Sequence, residues 1–315
     1  MAQNPRTTDA ESAPTTGRNY GLSRRNYVRS LAAVATAATS LGAAGSVAAQ
    51  DDGDYEVIEA TGQTIQVGSG ETWENKLIDM TTGGDIVVSA YGTDWTIRNI
   101  GFKGKNTSGT GSATFGICDE GGSSTIENIY LGDGTDGRNG ADTGHGQTAF
   151  WVDPKHSGHI DFKHLNIQKF ADNAIYGSAP GSNGGGTLHI DQSFAANCRV
   201  SHFRVASEGC KVTNSSVYVD NEEGYQGRGI WAWAPGTIEI DNCQIQMNGA
   251  HTAIDAGANG NPTEVVVTDS DYDEQAGIAE NAGSNVQLEN TGTEPEAFIP
   301  EGVPTSPEEA AGGDD

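Results

Sequence analysis

The sequence predicts an all-β fold, a parallel β-helix solenoid of about eight coils with an N-terminal cap. A short apolar strand, a turn and an alternating strand ending at a polar residue recur along most of the chain. A unit of about 20–30 residues built this way cannot bury its apolar side without stacking on its neighbours. No segment sustains an apolar period of 3.6 residues, which disfavours helical repeats.

The alternating strand of each unit ends at a polar corner. The clearest copy, Ile238 and Ile240 after a Pro-Gly turn, ends at Asn242. Asn, Asp and His tolerate left-handed backbone and hydrogen-bond locally, so we expect bends there, with amides hydrogen-bonded from coil to coil. A β-sandwich is the alternative, but sandwiches do not repeat sequence in register. The corners are Asn99, Asn128, His164, Gln192, Asn214, Asn242, Asp269 and Asn290.

The first strand of each unit carries a small residue followed by an apolar one. We expect the apolar residues to form one inner column, and the residues after them one outer row. The predicted column is Ile117, Phe150, Ile175, Ile230 and Ile254. The predicted row is Cys118, Trp151, Tyr176, Lys211, Trp231, Asp255 and Ala279, with Trp233 two residues beyond Trp231.

These units resemble the right-handed parallel β-helix proteins of the pectate-lyase/pectin-lyase-like superfamily. The resemblance covers about Ile65 to Thr293. It implies a right-handed coil, but it is weak for activity because the fold hosts lyases, hydrolases, epimerases, adhesins and viral tail proteins.

The composition is strongly acidic. There are 43 Asp and Glu against 17 Lys and Arg, a formal net charge of −26. Such a surface repels nucleic acid and anionic lipid, and it disfavours a polyanionic substrate unless cations bridge the two. The acidity resembles that of proteins from salt-adapted archaea, where high salt screens self-repulsion.

The ends of the chain differ from the repeat. Residues 1–50 contain Arg24-Arg25 and a weakly apolar run from Leu31 to Ala49, which resembles a twin-arginine export signal more than a membrane anchor. The β-helix domain spans 51–293; its N-terminal cap lies within 55–91, where 70–78 forms a short helix or an irregular coil. Residues 294–315 are Pro-, Glu- and Gly-rich and predict a disordered acidic tail. We expect a monomer, secreted or at the cell surface, without a transmembrane segment in the mature chain.

Aromatic residues dominate the predicted outer row. Rings about 4.8 Å apart per coil could form a platform for sugar rings. The alternative is a structural ladder in which the rings supply only buried area. The predicted substrate-binding residues are Trp151, Tyr176, Trp231 and Trp233.

Catalytic candidates follow from the resemblance to the lyases. In those enzymes Ca²⁺ held by carboxylates acidifies a uronate proton that an Arg or Lys removes. This implies Arg228 or Lys155 as the base, with Asp153 and Asp172 near Ca²⁺. A surface salt bridge is the alternative role for each. His156 is a third catalytic candidate. The Asp-rich loop 132–147, with Asp133, Asp136 and Asp142, is a weaker calcium candidate, and His145 is a loop residue.

Two functions follow. The first is a secreted protein that binds an extracellular polysaccharide or cell-surface glycan, with a Ca²⁺-assisted polysaccharide lyase as its catalytic form. The second is a non-catalytic adhesive or structural rod. The four cysteines lack a CxxC pair, which disfavours structural zinc, and a Cys198–Cys210 disulfide stays open.

Overall fold

Stacked parallel β-strands account for about half of the residues that the structure describes, and helices for very few of them. A computed structural model describes residues 55–107, 113–135, 146–220 and 227–313. Its strands are β1 (Glu56–Glu59), β2 (Gln63–Val67), β3 (Thr72–Asp79), β4 (Ile86–Gly92), β5 (Thr96–Lys103), β6 (Ala113–Asp119), β7 (Ser123–Leu131), β8 (Thr148–Val152), β9 (His159–Gln168), β10 (Asn173–Gly177), β11 (Thr187–Asp191), β12 (Phe194–Ala196), β13 (Ser201–Val205), β14 (Lys211–Thr213), β15 (Ser216–Tyr218), β16 (Arg228–Ala232), β17 (Thr237–Asp241), β18 (Gln244–Gln246), β19 (Ile254–Ala256), β20 (Glu264–Thr268), β21 (Asp271–Tyr272), β22 (Ile278–Glu280) and β23 (Asn285–Glu289). A short 3-10 helix, Ala179–Ser182, and one α-helix, α1 (Pro307–Gly312), complete the described elements.

The strands form two long sheets that the chain visits in turn. The first sheet runs β1-β3-β5-β7-β9-β11-β14-β17-β20-β23, and β12, β15, β18 and β21 join it through β9. The second runs β2-β4-β6-β8-β10-β13-β16-β19-β22. Strands of successive coils pair in parallel within each sheet. This arrangement fits the parallel β-helix that the repeat predicts.

An inner column of apolar side chains fills the space between the sheets. Phe150 pairs with Ile175, and Ile230 with Ile254, and all four are fully buried. The column contains Phe115 in place of the predicted Ile117, because Ile117 pairs with Val152, two residues further along the strands. It also contains Phe203, which pairs with Ile175. Stacking sets this register, because the Phe115 and Phe150 rings lie 4.5 Å apart at 16°. The predicted column is therefore wrong at Ile117.

The polar corners are left-handed, as the sequence predicts. All eight corner residues have a positive φ between 41° and 57°. Amides also bond between coils: Asn128 Nδ2 donates to Asn99 Oδ1 at 3.0 Å, and Asn242 Nδ2 donates to Asn214 Oδ1 at 2.8 Å. Each corner thus combines a backbone conformation that Asn tolerates with a hydrogen bond that only a stacked neighbour supplies.

Replacing Asn214 by alanine is expected to cost about 3 kcal/mol of unfolding free energy. Left-handed backbone costs a residue with Cβ about 1–2 kcal/mol, and each lost hydrogen bond costs about 1 kcal/mol. Asn214 makes two, to Asn242 and to Asp191 Oδ1. Asn214→Gly is the matched control, since it loses the bonds without the strain. Urea unfolding measures both, and equal costs for the two variants would contradict a strained corner.

The first residues that the structure describes, from 55 onward, join the sheets directly. Residues 70–78, predicted to be a short helix or an irregular coil, contain most of β3, which pairs with β1 and β5. The short-helix alternative is therefore wrong, because Trp73 and Leu77 align with the strand residues Ile97 and Gly101.

The C-terminal segment, residues 294–313, is ordered against the first sheet, so the prediction of a disordered tail is wrong for these residues. It crosses the outer side of the sheet from late strands to early ones. The Ala297 N–H donates to Gln246 Oε1 (3.0 Å) and the Phe298 N–H to Ser216 Oγ (3.1 Å). Further along, Asn166 Nδ2 donates to the Pro304 carbonyl (2.8 Å). Helix α1 then packs on β3, β5 and β7.

The cysteines are buried and unpaired. Cys118, Cys198, Cys210 and Cys243 are all free thiols, and burial raises the pKa of each to about 12. They act as small core residues, and the Cys198–Cys210 disulfide is not formed.

Candidate functional site

The parallel register of the second sheet builds one continuous outer row. Trp151 pairs with Tyr176, Tyr176 with Arg204, Arg204 with Trp231, and Trp231 with Asp255. Two predicted members are wrong. Cys118 pairs with Tyr91 at another position of the sheet, and Lys211 begins β14 in the first sheet.

Arg204 takes the place that the sequence assigned to Lys211, and it lies among aromatic rings. Its guanidinium carbon is 3.7 Å from the Trp233 ring centroid, 4.1 Å from that of Tyr176 and 4.5 Å from that of Trp231. The residue is 5% exposed, and its Nε has no hydrogen-bond partner among the described residues. Burial lowers the pKa of Arg204, while the nearby Tyr176 and Asp172 act to raise it. Cation–π contacts with three rings compensate for part of the lost hydration.

Arg228 lies beside the same tryptophan. Its guanidinium carbon is 4.0 Å from the Trp231 ring centroid, and its Nε donates to Asp255 Oδ2. Asp255 Oδ1 accepts from Asn281 Nδ2 at 2.6 Å, so both carboxylate oxygens are occupied. Arg228 is therefore fixed between a carboxylate and a ring face, both of which attract a guanidinium.

The outer row divides into a buried half and an accessible half. Trp151 and Tyr176 are each only 8% exposed and behave as a structural ladder. Trp231 and Trp233 are half-buried, and their ring centroids lie 4.7 Å apart with planes at 55°. Only this tryptophan pair keeps part of its ring surface open to a ligand among the four predicted substrate-binding residues.

Three other predicted site residues come directly after the C-terminal end of β8. Asp153 accepts from the Tyr91 hydroxyl (3.2 Å) and from the Lys155 N–H (2.8 Å), and Lys155 is exposed. His156 is fully buried, with Nδ1 at 2.9 Å from the Asp119 carbonyl and Nε2 at 3.2 Å from the Thr187 carbonyl. Burial lowers the pKa of His156. These contacts give His156 a structural role, and its catalytic role stays a prediction.

The structure does not bring the predicted calcium ligands together. Asp172 aligns with Gln147, whose carbonyl accepts its N–H at 3.1 Å. Asp153 lies six residues after Gln147, which is about 20 Å along the strand direction. Arg228 is the first residue of β16 and lies two coils beyond Asn173 in the same column of paired residues. It is therefore at the same end of the strands as Asp172. One ion and one sugar cannot span this set.

The described residues contain no group of three or more His, Cys, Asp or Glu side chains arranged to hold a metal ion. Asp133 instead accepts the Gly104 N–H through Oδ2 at 2.7 Å. Asp136, Asp142 and His145 lie outside the described residues. The calcium hypothesis stays a prediction.

Sequence reasoning missed Arg204, the residue that binds the aromatic row together. Its strand reads Ser-His-Phe-Arg-Val and lacks the small–apolar signature of the other copies. Alternation was the available signal, because the buried Phe203 and Val205 flank Arg204.

Comparison of the chain with protein-family models, with curated proteins and with solved structures gave no match. In the described ranges, no helix combines the length and the apolar character that a membrane span requires.

Proposed function

We propose that the protein is a secreted, right-handed parallel β-helix that binds an extracellular polysaccharide without cleaving it. The twin-arginine motif around Arg24-Arg25 supports export. The binding surface is the tryptophan pair, Trp231 and Trp233. Export of a folded protein suits a rod whose open strand edges would otherwise recruit other chains.

The observation that carries the proposal is the fixed, half-buried tryptophan pair. Arg204 lies within 4.5 Å of both ring centroids, and Arg228 fixes Trp231 further, so the rings are pre-organised. A preformed aromatic surface binds with little ordering cost, because its side chains lose few rotamers. The apolar faces of sugar rings pack on such surfaces while their hydroxyls stay hydrated.

The geometry favours binding over lyase chemistry. A lyase base must be free to take a proton from the substrate, but the Arg228 guanidinium is already paired with Asp255. Lys155, the other candidate, lies at the far end of β8 from Asp172, beyond the reach of one sugar unit.

Truncating either tryptophan is expected to weaken glycan binding about tenfold to a hundredfold, since buried aromatic anchors dominate binding energy. Affinity electrophoresis of Trp231→Ala and Trp233→Ala against a panel of polysaccharides, in high salt to screen the acidic surface, measures this. Phe298→Ala is the matched control, an exposed aromatic outside the row (52% exposed).

Two results would contradict the proposal. One is unchanged binding in both tryptophan variants when circular dichroism shows that they are folded. The other is rising absorbance of unsaturated uronates when the wild-type protein meets pectate or alginate with Ca²⁺, which would restore the lyase.

A further inference from the structure

We infer that the ligand of the Trp231–Trp233 surface is an uncharged glycan rather than a polyuronate or a sulfated polymer. The inference rests on the proposed function and names the substrate class of the same surface. It follows from the ion pairs that the charged groups around the two rings already form, and from the negative net charge of the whole protein.

The charged groups near the tryptophan pair balance one another. Arg228 is paired with Asp255, and their side chains are 25% and 7% exposed. Arg204 is buried near Asp172, which is 2% exposed and accepts from Asn173 Nδ2 at 2.6 Å. Two cations and two carboxylates thus leave no net positive charge for an anionic group.

An acidic ligand would have to displace Asp255 from Arg228. Asp255 is held in place from its other side by Asn281, so displacement would leave a buried carboxylate without its cation. Breaking such a pair is strongly unfavourable, because the remaining charge keeps its desolvation cost. The hydroxyls of a neutral sugar can instead meet the exposed edge of Arg228 while the ion pair stays intact.

The field of the chain acts in the same direction. A formal net charge of −26 lowers the local concentration of polyanions, whereas a neutral polymer approaches without this penalty. Salt distinguishes the two classes, because it screens repulsion of an anion and leaves the stacking of a neutral sugar almost unchanged.

Matched polymers with one backbone provide the test. Polygalacturonate is compared with its fully methyl-esterified form, and carboxymethyl β-glucan with unmodified β-glucan, by affinity electrophoresis at low and high salt. The neutral member of at least one pair is expected to bind about tenfold or more tighter than its acidic partner at low salt, with the difference shrinking as salt rises. Its binding is expected to fall in Trp231→Ala.

Arginine variants separate the possible outcomes. Arg228→Gln loosens Trp231 and is expected to weaken binding of both members of a pair without reversing the preference for the neutral one. The control Arg98→Gln, which removes an Arg paired with Glu74 on the first sheet (2.5 Å), is expected to leave binding unchanged. Tighter binding of the acidic polymers, falling with salt and lost in Arg228→Gln but not in Arg98→Gln, would overturn the inference while leaving glycan binding standing. If no polymer of either kind binds, the proposed function fails and the inference with it.

Discussion

Replacing Gly101 by alanine is expected to detach helix α1 from the first sheet and to destabilise the protein by about 2–3 kcal/mol. A Cβ at Gly101 would lie 1.7 Å from the Pro307 carbonyl oxygen, so the helix must move. Detachment would expose Ala310 and Ala311, which are fully buried, and would break the hydrogen bond from Asn128 Nδ2 to the Ala310 carbonyl (3.2 Å). The estimate sums these losses as ordinary core and hydrogen-bond terms.

The sign of this effect is informative. At an unstrained position, Gly→Ala normally stabilises a protein slightly by restricting the unfolded chain. Gly312→Ala is the matched control, because its Cβ meets nothing within 4 Å and alanine favours the helix. Thermal unfolding should therefore show a lower Tm for Gly101→Ala and an equal or higher Tm for Gly312→Ala.

Hydrogen exchange locates the damage. In a simple solenoid each coil interacts only with its neighbours, so a lost terminal segment affects the last coils. Here the C-terminal segment reaches β3, β5 and β7, so deleting residues 294–315 should speed exchange in these early strands. Unchanged protection there, in both the deletion and Gly101→Ala, would show that the segment does not dock.

The order of the C-terminal segment could be predicted only in part. Its composition indicates disorder, but Ser306-Pro307-Glu308-Glu309 is a helix start: Ser306 Oγ accepts the Glu309 N–H at 3.1 Å, with proline in the first turn. Composition averages over a segment and misses such a local signal. The segment docks on residues that are distant in the sequence: Asn166, which donates to the Pro304 carbonyl, precedes it by more than 130 residues. Such a contact cannot be predicted from the local sequence.

The strand repeat and the corners were predictable because their causes are local. Alternation needs only neighbouring residues, and Asn at a corner such as Asn242 reports its own backbone conformation (φ 50°). Register was harder, because it depends on which ring packs on which across coils. Aligning the copies on a small–apolar pair therefore misplaced Ile117 and passed over Arg204, whose strand has His202 where the others have Gly or Ala.

That same His202 is expected to make the protein acid-sensitive. It is fully buried, its Nδ1 donates to the Arg228 carbonyl at 2.7 Å, and its Nε2 accepts the Cys198 N–H at 3.1 Å. Protonating Nε2 would place a hydrogen against that N–H donor. Burial lowers the pKa of His202 to about 4, although the bond to the Arg228 carbonyl acts to raise it.

The direction of the pH effect follows from the pKa values of His202 in the folded and unfolded states. The unfolded histidine titrates near a pKa of about 6.5, so between that pH and about 4 the unfolded state binds a proton that the folded state refuses. Stability is therefore complete above pH 6.5 and falls as the pH drops. From pH 7 to pH 5 the expected loss from His202 is about 2 kcal/mol.

Urea unfolding at pH 7, 6 and 5 in high salt measures this slope. His202→Gln, whose amide keeps one donor and one acceptor without titrating, should be less stable at pH 7 but should lose less stability on acidification. His189→Gln is the control, a histidine on the outer side of the first sheet with a side chain 29% exposed. Some slope remains in His202→Gln because burial also lowers the pKa of His156. The same slope in His202→Gln and wild type would contradict a neutral, buried His202.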